Sequence, residues 1–343
     1  MTGIEGLKEL VEIPGVSGHE GAVREYIEAK IGKRADVSVD RMGNLVATLG
    51  EGEPNIALVA HMDEVGLLVS NVMGDGTLKF KKMGGIDDRT LAGRMVTVHT
   101  QKGDVNGVIG IKAPHLTIDK DEATKVTAWQ NLAIDIGARS ARDAERAGIG
   151  LLDPVTLKKG WQIMNGRYIC SRALDNRVGC WEVLQAFEQI SRKKPKATVH
   201  FAFSVQEEIG LRGAAVIGST MYLDYVMAID TYTTSDAPGL DKFFKPVMLG
   251  KGPVMRAVDA ISVATPYMQQ KVKLTAKRAK VPLQIGVTGG TTDGAKLQES
   301  GAAVIPLGVP MRYTHSPAEV VHQDDVENLA RLLCAMVPEL AKS

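Results

Sequence analysis

Two carboxylates stand side by side at Glu207 and Glu208, directly after the apolar run 197–205 (ATVHFAFSV). Adjacent acids at the end of a buried segment are costly unless something positive sits beside them. Neighbours in an extended stretch point to opposite sides, so one acid can bind a cation while the other faces a substrate as a general base. A solvated turn is the plain alternative. Further ligand-type side chains recur at comparable places. His61-Met62-Asp63 ends the run NIALVAH; His61 can bind a metal through one ring nitrogen while Asp63 accepts the other ring N–H. Alone, H-x-D is a weak signal and more often marks a structural histidine. Asp175 precedes an apolar helical stretch, where it is either an N-cap or a carboxylate bridging two cations. Asp230 ends the run YVMAI, and His315 follows AAVIPL in the stretch 312–317 (RYTHSP).

Taken together, His61, Asp175, Glu208, Asp230 and His315 form a mixed imidazole and carboxylate set suited to zinc, cobalt or manganese. The set exceeds what one catalytic zinc takes, but with one bridging carboxylate it suits a pair of ions.

The elements that must position these groups are legible in outline. Leu7, Leu10 and Val11 have helical spacing, and a second helix is predicted from Glu20 to about Ile31. Short apolar runs at 55–61, 197–205 and 225–229 predict buried strands, with helices over 175–190 and around 213–217. Val326, Leu329, Leu333, Met336, Val337 and Leu340 predict a C-terminal helix. Strand and helix alternate here, which predicts an α/β domain with a mixed, largely parallel sheet and flanking helices. Ligands of such sheets bind beyond the carboxyl ends of strands, where most of the candidates lie. The middle differs. From Leu67 to Ile163 the runs LLVSNV, TLKFKKM, RMVTVHT, NGVIGI and NLAIDIG predict short strands, with one short helix around 141–147. This predicts a small all-β unit over 67–163, inserted in an α/β domain made of 1–66 and 164–343.

Bulk properties narrow the function classes. A chain of 343 residues exceeds the usual single-domain size. With 44% apolar and 24% charged residues, the composition is that of a globular protein. A net charge of +1 gives no footprint for nucleic acid or an anionic membrane. Cys170, Cys180 and Cys334 lack C-x-x-C spacing, which argues against a disulfide framework or thiolate zinc and for inert thiols. No basic segment followed by an apolar one opens the chain, and no run reaches membrane-spanning length, so the expected location is the cytoplasm.

AHMDEVG (60–66), ALDNRVG (173–179), QEEIGLRGA (206–214), the strand ending in Asp230, and VPMRYTHSPAEVV (309–321), in that order, resemble the M42 family of metallo-aminopeptidases. The likeness extends to the opening VEIPGVSGHEGAVREYI. The resemblance implies a phosphorylase/hydrolase-like zinc exopeptidase fold, with the insertion as a PDZ-like dimerisation domain. It implies two divalent ions, zinc or cobalt before manganese, bridged by Asp175. Glu208 and His315 would complete one site, His61 and Asp230 the other. Glu207 would be the general base and Asp63 would orient His61. A cis peptide at 175–176 is implied too, where Asn176 stands in place of the second Asp of many relatives. The implied substrates are peptides with a free N-terminus. The implied assembly is a homo-oligomer, a tetrahedral dodecamer built from dimers.

Gly290, Thr291 and Asp293, within GGTTDG (289–294), resemble a family loop beside the substrate pocket, and His115 resembles a loop of the β unit that reaches an active site. A pocket for an acidic first residue would present a cation, with Lys245, Lys251 and Arg256 as candidates. A related two-metal carboxypeptidase or N-deacylase would need a clamp for a substrate carboxylate, for which Arg312 is nearest. A non-catalytic scaffold would be expected to have lost a ligand or Glu207, and none is lost.

Overall fold

The computed structural model describes residues 4–116, 125–158, 160–239 and 247–342. An 11-stranded sheet forms the body. Its main path runs Asp36–Val39, Leu45–Leu49, Thr198–Ser204, Asn55–His61, Tyr225–Thr233, Ala303–Arg312, Glu319–His322, Tyr168–Ser171 and Gln162–Met164. Val254–Val258 branches off Ala303–Arg312 and pairs with Gln284–Val287.

The sheet is mixed. From Thr198–Ser204 across to Ala303–Arg312 the strands are parallel. The flanks are antiparallel, which corrects the expectation of a largely parallel sheet. The reason is local: several flanking strands are joined by short turns, and a short turn can only return the chain antiparallel.

Alternation along the central strands divides the core. Ile56, Leu58 and Ala60 face one way, packing with Val178, Val326 and their neighbours on helices Glu5–Glu12, Gly21–Ile31, Leu174–Ile190, Pro266–Ala279 and Gln323–Leu340. Ala57 and Val59 face the other way, against Ala214 and Ile217 of helix Arg212–Thr220 and Leu297 of helix Asp293–Glu299. Burial on both faces is why these strands read as continuous apolar runs rather than as alternation.

Strands Gly66–Val72, Leu78–Met83, Ile134–Asp135, Gly103–Ile109, Met95–Thr100 and Pro154–Leu157 close into a barrel in that order. Leu67, Val69, Phe80, Val96, Val98 and Val155 contribute to its own apolar core. The run NLAIDIG supplies only the two residues Ile134 and Asp135, and the closing strand Pro154–Leu157 has no counterpart in the sequence reading. It is short and begins with proline, which cannot donate to a ladder. Helix Ala141–Arg146 lies where expected, with Ser140 Oγ accepting from Asp143 N–H. The large sheet resumes at Gln162. Among the described residues no helix is long and apolar enough to cross a membrane.

Candidate metal centre

Parallel register brings the ligands to one edge of the sheet. His61, the last residue of its strand, lies opposite Ser204, so the turn carrying Glu207 and Glu208 emerges beside it. Asp230 is on the neighbouring strand, which continues to Thr233 instead of ending at the acid. Asp175 arrives from the start of helix Leu174–Ile190. His315 arrives from the connection between Ala303–Arg312 and Glu319–His322.

The decisive geometry is at Asp175. Its Oδ1 is 3.5 Å from His61 Nε2, and its Oδ2 is 3.6 Å from His315 Nε2. Asp230 Oδ1 lies 3.7 Å from His61 Nε2, and Glu208 Oε2 lies 3.3 Å from His315 Nε2. Two ligand groups result: His61, Asp175 and Asp230; and Asp175, Glu208 and His315. A third grouping, His61 with Glu207 and Glu208, also falls within ligand range. There Glu207 Oε2 lies 3.9 Å from His61 Nε2. Asp175 Oδ1 and Glu208 Oε1 are buried without a hydrogen bond, as ligand oxygens awaiting a cation would be.

Charge around the centre points the same way. Burial, aided by Asp230, Asp293 and Glu208 against the pull of His61, raises Glu207 well above the usual carboxylate range. Burial likewise raises Glu208 and Asp230. Burial would lower His315, yet Glu208 and Asp175 outweigh it and push the imidazole up to about 10. For His61, too, burial is outweighed by acids, Glu207 first. The acids thus draw on every positive charge near them, the electrostatic signature of a site built for cations.

The ambiguity over Asp175 resolves in its neighbour. Asn176 Oδ1 accepts from Gly179 N–H at 3.0 Å and Asn176 Nδ2 donates to Ile229 O at 2.8 Å, so Asn176 caps the regular helix and Asp175 is left free. Gly179 has to be glycine, because a Cβ there would stand 2.2 Å from Asn176 Oδ1. The Asp175–Asn176 peptide is cis.

Asp63 is fully buried. One oxygen lies 3.3 Å from His61 Nδ1, and the carboxylate accepts from Ser17 Oγ at 2.6 Å and from the N–H groups of Glu207 and Glu208 at 3.0 and 3.2 Å. It therefore ties down the two-acid turn beside the imidazole, whose Nδ1 also lies 3.2 Å from Asp63 O. Cys180 Sγ donates to His61 O at 3.0 Å, and burial pushes this thiol up to about 12, which makes it inert.

A cleft of about 390 Å³ opens over these groups, lined also by Gly85, Thr231, Arg256, Gly290, Thr291 and Thr314. Gly290 and Thr291 are brought to the site. Asp293 is not on the cleft wall: it is buried and accepts from Ser204 Oγ. His115 is exposed and lies outside the cleft of its own chain. Among the candidate cations, Arg256 lines the cleft, Lys251 is exposed elsewhere, and Lys245 lies outside the described residues. Arg312 is spent on Asp236, at 2.7 and 3.0 Å, and is not in the cleft. Sequence reasoning also missed Glu319. It lies inside the quoted segment 309–321, but nothing in its type or spacing distinguishes it from a surface acid. In the structure it is buried and accepts from the N–H groups of Asp175 and His315.

A buried carboxylate and imidazole centre at the strand ends of an α/β sheet, under a cleft, defines a hydrolase of the metalloenzyme class. Comparison narrows the class. Residues 43–332 match the M42 glutamyl aminopeptidase family. The chain is 32% identical to a lysyl aminopeptidase of Pyrococcus furiosus, over 98% of this chain and 97% of that one. It is 32% identical to a glutamyl aminopeptidase of Lactococcus lactis, over 97% and 95%. The solved TET1 peptidase of Pyrococcus horikoshii, described as assembling into a tetrahedron or a large octahedral shell, superposes with a TM-score of 0.90 at 41% identity, over 97% and 98%. The chain belongs to the M42 family, and it is an aminopeptidase.

Proposed function

We propose that the protein removes N-terminal residues from peptides with the help of two divalent ions, for which Asp175 would be the shared ligand. The observation that carries this is the division of the Asp175 carboxylate, one oxygen toward each histidine. His61 and Asp230 would hold one ion, Glu208 and His315 the other. Zinc and cobalt suit these donors best, with manganese third. When bound, such ions acidify a water and polarise the scissile carbonyl. Glu207 takes a proton from that water and later returns it to the leaving amine. Asp230 receives the substrate's free α-amine, which restricts cleavage to the chain end.

Arg256 supports a finer reading, a preference for acidic first residues. Among the described residues it is the Arg or Lys side chain that lines the cleft. It donates to Thr231 O at 2.7 Å and Thr291 O at 3.1 Å, which leaves further N–H groups to reach a substrate carboxylate. Relatives named for lysine and for glutamate do not decide this.

We also propose that the barrel, whose strands run from Gly66 to Leu157, is the PDZ-like insertion through which subunits pair toward a tetrahedral dodecamer. Exposed Ile111, Leu116, Val126, Leu151 and Leu152 give that region apolar surface to bury.

The direct test is Glu207→Gln with free-amine and N-acetylated fluorogenic peptides, after chelation and metal repletion. Both ions should remain while kcat falls about 10²–10⁴-fold, and only free-amine peptides should be cleaved by the parent enzyme. A variant with full kcat, or cleavage of acetylated peptides, would refute the scheme.

A further inference from the structure

We infer that Glu319 is the positioning residue of the Asp175–Glu208–His315 half of the centre, an inference that rests on the two-ion reading above. Glu319 is 1% exposed, and each of its carboxylate oxygens has its own donor. Oε2 accepts from Asp175 N–H at 3.1 Å and Oε1 accepts from His315 N–H at 3.0 Å. These are the backbones of two ligand residues themselves, brought together from segments 140 positions apart.

Strand register explains how one acid reaches both. Glu319 pairs with Ser171, the last residue of Tyr168–Ser171, and the chain turns from there to Asp175. Upstream of Glu319 the chain loops directly back to His315. One side chain at this crossing can therefore tie both turns. Both turns need a tie. Ala173 has φ 61°, Tyr313 φ 62° and His315 φ 61°, left-handed values that non-glycine residues hold only when their surroundings impose them. The His61 half does not use Glu319. Its imidazole is oriented by Asp63, and its backbone sits inside a parallel sheet. Asp175 has a second hold through Asn176 and the helix, so His315 depends more heavily on Glu319 than any other ligand.

The inference predicts selectivity. Glutamine at 319 offers one carbonyl acceptor and an amide that cannot accept, so it cannot serve both N–H groups. Chelator-stripped full-length protein is titrated with Co²⁺, following visible absorption and heat. Parent protein should bind in two steps. In Glu319→Gln, one step should weaken about 10–100-fold while the other stays in place. Glu319→Asp keeps the carboxyl group but shortens the reach, and should show a smaller loss in the same step. In a His315→Gln background, which already lacks that step, adding Glu319→Gln should leave the remaining step unmoved. Circular dichroism of the metal-free forms reads folding separately. Equal weakening of both steps, no change in either, or a further loss in the His315→Gln background would overturn the role of Glu319. A parent protein that takes up no second ion would overturn the two-ion reading, and the role of Glu319 with it.

Discussion

The two halves of the centre are built on different principles. The His61 half is rigid by construction: its imidazole is 3% exposed and ends a strand with parallel neighbours on both sides. The His315 half is assembled from connections. Its imidazole is 33% exposed, its backbone is left-handed, and its Nδ1 lies 3.3 Å from Gly85 O in the segment that follows a barrel strand. A Cβ on Gly85 would stand 3.1 Å from that nitrogen, so the close approach favours glycine. Sheet register thus positions one ligand group at no extra cost, while the other is tied by a buried carboxylate and a contact from the barrel segment. Asp175 joins the two.

The largest expected effect erases the comparison. Asp175→Asn removes the shared carboxylate, so both ions should be lost on gel filtration, with kcat/KM down on the order of 10⁴-fold. Elemental analysis checks this, and one ion retained at parental affinity would mean that Asp175 does not bridge. A smaller effect should fall mainly on the rigid half, because Asp63 also holds the N–H groups of Glu207 and Glu208. Asp63→Asn cannot orient His61 as a carboxylate does, so the metal step that Glu319→Gln spares should weaken about 10–100-fold. Loss of the same step in both variants would show that the halves are not independent.

Arg256 tests the substrate wall beside the rigid half. Arg256→Met should lower kcat/KM for an N-terminal glutamyl substrate by roughly 10–100-fold, the worth of a hydrogen bond to a charged group, with leucyl substrate little changed. An unaltered ratio between the two substrates would remove Arg256 from specificity.

The smallest effect comes from a buried acid that, among the described residues, has no cation to meet. Glu182 is fully buried on the helix that carries Asp175, and neither oxygen has a hydrogen bond. Burial first, then Glu327, raises its pKa well above the usual range. With the folded pKa above the unfolded one, its contribution to stability is complete below about pH 4.5 and is lost as pH rises through the folded value. Glu182→Gln, uncharged throughout, should therefore melt roughly 2–4 °C above the parent at pH 8, with the gap closing toward pH 4.5. A gap that does not change with pH would show that Glu182 is not held neutral.

Much of the centre was legible because its ligands sit at the ends of apolar runs, and that pattern survives in one dimension. His61, Glu207 and Glu208 follow such runs closely. Helix Pro266–Ala279 escaped notice although its signals are local: Thr265 Oγ1 accepts from Met268 N–H and proline opens the helix. Other features had no local signal. The flanking strands are short, the closing barrel strand begins with proline, and Asp293 is an acid in a glycine-rich loop whether it faces a cleft or Ser204. The capping role of Asn176 could not be separated from that of Asp175, because both residues are good N-caps.

By itself, the sequence determined which side chains could bind cations, because residue type fixes donor chemistry and apolar runs fix where strands end. Tertiary structure alone decided how those donors divide. That one oxygen of Asp175 faces His61 and the other His315, that Arg312 is consumed by Asp236 while Arg256 reaches the cleft, and that Glu319 holds two turns at once are all contacts between distant segments. Hydrogen bonds and ion pairs act over a few ångströms of space, and a linear sequence does not specify which of its distant residues come within that range.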